Sequence, residues 1–211
     1  MPSTNVCKIC RRLGQKVMLK GDKCLSPKCT MVKRPYAPGP KKKRGRGGAM
    51  SEYGKELAEK QKLQKYYGLR EKQFGHYVKG ILHRRGKVED ATLLLIRQLE
   101  GRLDNVVFRL GIAKSRVEAR QLVSHSHFLV NGKPVNIPSF QTKKGMVISV
   151  KPSKNQKIIF KNLSATWKNF NPPSWLKLDK EKMEGTILSQ PLAEEVGSTV
   201  DITAIFEFYS R

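Results

Sequence analysis

All four cysteines of the chain fall within its first 29 residues, at Cys7, Cys10, Cys24 and Cys29. The spacing Cys-x2-Cys-x13-Cys-x4-Cys places two chelating pairs on either side of a loop rich in turn formers, Gly14, Gly21-Asp22 and Ser26-Pro27. Two thiolate pairs so arranged suit a tetrahedral ion. Lys8, Arg11, Arg12, Lys16, Lys20, Lys23 and Lys28 would help to hold a site bearing four thiolates. Two disulfides and four free thiols are the competing readings, and nothing here suggests secretion, where disulfides persist. One structural metal site is therefore expected. Zinc is the default ion and an iron–sulfur cluster the alternative. A shell closed by four cysteines leaves no position for water, so the site would fold the segment and not catalyse.

Charge narrows the partner. The 211 residues carry 42 Lys+Arg against 17 Asp+Glu, a formal net charge of +25. The surplus is graded. Residues 1–50 hold 14 basic and 1 acidic side chain, whereas 162–211 hold 5 and 7, a net −2. A solubility surplus would be spread evenly, so a polyanion, nucleic acid ahead of membrane or acidic protein, is the expected partner. The longest aliphatic run is Leu93 to Ile96, far short of the ~20 residues of a membrane span. The opening MPSTNVCKIC lacks an apolar h-region, so no secretory signal is expected there.

The remaining pattern predicts an α+β chain. Residues 33–50, rich in Pro, Gly and cations, read as an extended arm. Helices are expected over 51–67, 70–84 and 89–101, the second burying Phe74, Tyr77, Val78, Ile81 and Leu82. Leu103, Val106, Val107 and Leu110 predict another helix, stopped by Gly111. Ser115 and Glu118 form a capping box for a helix over 116–124. Residues 128–135 read as a hairpin turning at Asn131-Gly132, and Met146 to Val150 as a strand. A helix from about 154, a strand Trp175 to Leu178, a turn through Glu184-Gly185, and Thr186 to Leu188 follow. Alternation of Val200, Ile202, Ala204, Phe206 and Phe208 predicts a terminal strand. Arg116, Arg120, Asn131 and Lys133 are expected near one another, as an anion site at a helix N-terminus.

The cysteine knuckle, Arg34-Pro35-Tyr36-x-Pro38-Gly39, Glu59 to Leu63, Arg102 to Gly111, Ser115 to His125, Val130 to Gly132, Ile137-Pro-Ser139 and Phe208 to Arg211 follow one another in a single order. On these motifs the chain resembles, end to end, the family of bacterial small-subunit ribosomal protein number four. Many relatives follow Pro-Gly with Gln-His-Gly, whereas Gly39 here precedes Pro40-Lys41-Lys42. The arm's RNA role is carried over on the resemblance, its geometry is not. The resemblance implies a knuckle and basic arm over 1–50, and a helical domain over 51–101 continued by 152–211 as a helix plus C-terminal strands. An S-four type RNA-binding domain, two short helices with a hairpin or small sheet, would occupy 102–165. It also implies a primary binder of small-subunit ribosomal RNA that nucleates assembly of the 5′ domain. Such a protein lies near the mRNA entry path beside small-subunit protein number five, influences decoding accuracy, and in some members represses its own operon's mRNA. A cytoplasmic, ribosome-bound protein is expected, with no membrane partner and no obligate homo-oligomer. The acidic C-terminal stretch is expected to face protein.

Candidate RNA-binding residues are Arg11, Arg12, Lys33, Arg34, Lys41, Lys42, Lys43, Arg44 and Arg46 in the knuckle and arm, and Arg70, Lys72, Arg84 and Arg85 in the helical domain. In the third domain they are Arg102, Arg109, Lys114, Ser115, Arg116, Arg120, Gln121, Ser124, His125, Asn131, Lys133, Lys143 and Lys144. Gly101 to Asp104 matches a short pseudouridine synthase motif with a nucleophilic Asp, but it opens a binding module and too little chain remains for a catalytic domain. No enzyme is expected. His125 and His127 read as RNA-facing or structural, since no paired carboxylate or cysteine is near in sequence. A free-standing RNA chaperone or regulator would use the same cations and is the alternative.

Overall fold

The computed structural model describes residues 6–39, 50–84, 90–154, 157–161, 163–168, 170–192 and 200–211. The expected contacts of Lys41, Lys42, Lys43, Arg44, Arg46 and Arg85 lie outside the described residues. The chain divides into two compact units, residues 1–92 with 198–211, and residues 93–197.

In the first unit, three short helices surround the cysteines: α1 (Val6–Leu13) carries Cys7 and Cys10, α2 (Asp22–Leu25) carries Cys24, and Cys29 stands at the N-cap of α3 (Thr30–Lys33). Two longer helices follow, α4 (Glu52–Tyr66) and α5 (Glu71–Leu82). Ser51 caps α4, its hydroxyl accepting from the Gly54 amide at 3.3 Å. Phe74, Val78 and Ile81 of α5 are fully buried with Leu63, Tyr67 and Leu69. The expected terminal strand is a helix, α11 (Ile202–Ser210), packed on α4 and α5. Asp201 caps it, accepting from the Thr203 and Ala204 amides, and Ile202, Ile205 and Phe206 turn inward at i, i+3, i+4.

The second unit opens within α6 (Ala91–Glu100) and continues with α7 (Leu103–Arg109) and α8 (Arg116–Ser124). The strands are β1 (Phe128–Val130), β2 (Lys133–Pro134), β3 (Val147–Val150), β4 (Leu176–Asp179) and β5 (Glu184–Ile187). They form one sheet in the order β2-β1-β3-β5-β4, antiparallel throughout. Two short helices, α9 (Ile158–Lys161) and α10 (Leu163–Lys168), lie between β3 and β4. The α7 and α8 residues Leu103, Val106, Val107, Ala119, Leu122 and Val123 share one core with Phe128 and Ile148 of the sheet, and with Phe160 and Trp167.

Two expectations change here. Residues 152–211 do not continue the helical domain as a whole: β4 and β5 extend the hairpin's sheet, and 198–211 returns to the first unit. Glu184-Gly185 is not a turn but the start of β5. A Cβ at Gly185 would stand 2.5 Å from a methyl of Leu110, so the glycine is there to let that side chain pack against the strand. Asn131 and Gly132 do turn the hairpin, both at positive φ (48° and 77°), with Val130 opposite Lys133. No helix among the described residues is long and apolar enough to cross a membrane.

Candidate nucleic-acid interface

The centre of the second unit is a charge lock between α6, α7 and α8. Arg102 is only 2% exposed, and it grips Asp104 with Nε at 3.1 Å and a terminal nitrogen at 2.9 Å. Arg120 reaches the same carboxylate from α8, with Nε at 3.0 Å and a terminal nitrogen at 2.9 Å on Oδ2. One turn before α7, Glu100 is gripped by Arg109 at 2.9 and 2.8 Å. The Asn105 amide donates to Glu100, and its Oδ1 accepts from Arg116 Nε at 2.8 Å. Arg116 also lies over the Phe108 ring, 4.5 Å from its centroid. Two buried carboxylates thus face four arginines, so the lock carries surplus positive charge.

Arg102 and Arg116, both named from sequence as RNA-binding candidates, are 2% and 7% exposed. Arg102 is bonded to Asp104, and Arg116 Nε donates to Asn105. Arg109 is half-buried on Glu100, and Arg120 keeps its side chain 34% exposed while bound to Asp104. The sequence reading met Asp104 only within a short motif match and missed Glu100. The only signal was that acids are scarce in this basic stretch: Glu100 ends α6, whereas Asp104, Asn105 and Arg109 belong to α7, so no single helical face joins them. Asp104 stands inside two arginine forks, which is no setting for a nucleophile.

A loop is tied onto the lock. The Asp104 amide donates to Pro138 O, Leu103 N to Phe140 O, and Thr142 N to Gly101 O. Gly101 is needed there, since a Cβ would meet Arg97 O at 2.8 Å. Exposed around this scaffold are Lys114, Gln121, Ser124 and His125 of α8 and its approach, Asn131 and Lys133 of the hairpin, and Lys143 and Lys144 before β3. Ser115 caps α8 through a 3.2 Å bond from Glu118 N, and the Glu118 carboxylate accepts from Lys114 N at 2.8 Å. That fixes Lys114, and it buries Ser115. Asn131 holds β3 in register, its Oδ1 accepting from Val147 N at 2.8 Å. His127 is buried and stacked beside exposed His125. Burial first, then Lys157, Lys154 and His125, lowers its pKa below the ordinary histidine value.

In the first unit, Arg12, Lys33, Arg34, Arg70, Lys72 and Arg84 are exposed. Arg11 is partly buried against Tyr36. Cys10, Cys24 and Cys29 are buried, Cys7 is half-buried, and all four are free thiols. The Lys20 amide donates to Cys24 Sγ at 3.3 Å. Burial raises the Cys10 pKa and a bond with Val17 lowers it, while Cys24, Cys7 and Cys29 each raise it further. Among the described residues, however, no group of three or more His, Cys, Asp or Glu is arranged to hold a metal ion, so the expected closed shell is not assembled.

Comparison with known proteins adds two family matches. The S4 domain matches residues 101–148, and the ribosomal protein S4/S9 N-terminal domain matches residues 3–97. The chain is 45% identical over 207 residues to the small ribosomal subunit protein uS4 of Syntrophomonas wolfei, covering 98% of this chain and 97% of that one. It is 45% identical to uS4 of Kosmotoga olearia over 206 residues, covering 98% and 97%. It is 46% identical to uS4 of Thermoanaerobacter sp. strain X514 over 210 residues, covering 97% and 96%.

Proposed function

The chain belongs to the uS4 family of small-ribosomal-subunit proteins, and from that premise we propose that it is a structural, non-enzymatic constituent of the small subunit that binds ribosomal RNA. The observation that carries this reading is the locked α7–α8 pair with exposed cations around it. Helices fixed by buried ion pairs hold Lys114 and Arg120 on a rigid support, and the sheet that shares their core carries Lys133 on β2 and Lys143 and Lys144 before β3, so little entropy is lost when phosphate is bound. A-form major grooves are too narrow for side chains, so selectivity comes from the shape of folded RNA. The wider roles are proposed on the family resemblance: nucleating 5′-domain assembly as a cytoplasmic particle component, lying by the mRNA entry path next to protein number five, and supporting decoding accuracy, with repression of the operon's own mRNA a property of some members. Sedimentation tests the core of the proposal. The protein should co-migrate stoichiometrically with small subunits at high salt; free protein at the top of the gradient would favour a free-standing chaperone.

The knuckle is proposed to hold one metal ion through Cys7, Cys10, Cys24 and Cys29, zinc before an iron–sulfur cluster. The support is their spacing, the burial of three thiols, the free state of all four, and the amide-to-sulfur bond at Cys24. When bound, the ion would supply cross-linking of the segment and no chemistry. Purified protein should contain about one zinc, or one cluster's iron, per chain. Four titratable thiols in a folded, metal-free protein would refute it.

A further inference from the structure

Tyr36 stands out among the exposed residues of the knuckle. It is 56% exposed, and no aromatic ring among the described residues stacks on it. The other strongly exposed tyrosine, Tyr53, leans on Phe208 at 5.5 Å. Tyr36 is nonetheless held. Arg11 Nε donates to the Tyr36 carbonyl at 2.8 Å, and the same guanidinium lies over the ring, 5.0 Å from its centroid. Pro35 and Pro38 flank it, each fixing its own φ. With one face covered by Arg11, the remaining exposure falls on the other face and the edge. The result is a flat, pre-ordered aromatic surface open to solvent.

Its surroundings say what such a surface would meet. Residues 6–39 contain nine Lys or Arg and one acid, Asp22. Arg12, Lys33 and Arg34 are exposed in the same segment. A cationic protein surface or a neutral apolar peptide would be repelled or indifferent; a polyanion would be drawn in. Among polyanions, nucleic acid alone also offers flat π-faces, and single-stranded RNA binds by combining phosphate attraction with base stacking on aromatic side chains. A guanidinium behind the ring strengthens such a stack, since cation and ring act as one layer.

We propose that Tyr36, backed by Arg11, is a stacking site for an unpaired base of RNA, with Arg12, Lys33 and Arg34 taking the adjoining phosphates. This rests on the reading of the chain as an RNA binder, but it concerns bases and not phosphates, and the test separates the two. The full-length protein is titrated against a fluorescein-labelled single-stranded oligoribonucleotide, and against an abasic strand of the same length and charge. Wild type should bind the base-bearing strand more tightly. Tyr36→Ala should weaken that strand by about five-fold or more, the lower end of the stacking scale, and leave the abasic strand unchanged. Tyr36→Trp should keep or raise the preference, and Arg11→Ala should reduce it. Because Tyr36 is exposed, its replacement should leave the fold intact, as circular dichroism would verify. Equal loss on both strands, or none on either, would overturn the stacking site while leaving RNA binding in place. A wild type that binds neither strand would overturn both readings.

Discussion

Asp104 poses a question of sign. It is a carboxylate within a proposed RNA-binding domain, so simple charge counting says that removing it should tighten RNA binding. The geometry says the opposite. Its two oxygens hold Arg102 and Arg120, and Arg120 is the most exposed arginine of the lock. We expect Asp104→Asn to weaken binding despite the gain of positive charge, because Arg120 loses the fork that aims it. The effect should vanish in an Arg120→Ala background, whereas general destabilisation would weaken both backgrounds equally. Breaking a buried pair also costs about 3–5 kcal/mol of stability, so chemical denaturation of Asp104→Asn should show a loss of that order. Arg116→Ala should likewise destabilise the fold, through lost contact with Asn105 and Phe108, and not simply remove a phosphate contact. The sequence showed which residues are basic; it could not show which of them are spent internally. Arg and Asp sixteen positions apart carry no periodic signal, and only the closing of α7 on α8 brings them together.

At the level of elements, the local signals worked where pattern and punctuation agreed. Ser115 with Glu118, Gly111 after α7, and Asn131-Gly132 in the hairpin each act as their residue types predict. They failed where one run satisfies two periods. Ile202, Ala204, Phe206 and Phe208 alternate, but Ile202, Ile205 and Phe206 also follow a helical face, and the run is too short to decide. Asp201 was the deciding signal, as a helix cap. Asp201→Ala should therefore cost about 0.5–2 kcal/mol, the ordinary value of such a cap, read from denaturation of the full chain. The same helix places Tyr209 and Phe208 on Lys60, with the Tyr209 hydroxyl and Lys60 both donating to Glu71 at 2.8 Å. Burial alone would raise the Glu71 pKa. The bonds from Lys60 and Tyr209 and the Lys60 charge outweigh it, so the net shift is downward from 4.5. A carboxylate with a lowered folded-state pKa stabilises above its unfolded value, and the stabilisation is lost as pH falls through the folded value. Acid unfolding of Glu71→Gln should consequently be less steep below about pH 4.5 than that of wild type, with a small amplitude because Glu71 is half exposed.

Across the whole molecule, charge is graded along the chain, and the exposed cations are unequal in their freedom. Lys133, Lys143 and Lys144 are exposed in a stretch of residues 101–150 that holds 8 basic and 2 acidic side chains. Lys177, Lys180 and Lys182 are equally exposed, but they alternate with Asp179, Glu181 and Glu184, and Asp179 also fixes their turn by accepting from the Glu181 and Lys182 amides. A phosphate approaching the second group meets as much negative charge as positive. Counterion release converts this difference into a measurable slope: log affinity falls linearly with log salt, in proportion to the number of phosphates neutralised. Each exposed lysine that meets a phosphate should reduce the slope by about one when removed. We therefore expect the Lys133, Lys143 and Lys144 to Ala triple to weaken binding to small-subunit ribosomal RNA and flatten its salt dependence by up to about three units. The Lys177, Lys180 and Lys182 triple should shift neither. Filter binding across a salt series measures both, with circular dichroism as the control for folding. Were the second triple to flatten the slope as much as the first, the RNA face would lie on the β4–β5 hairpin and not around α8.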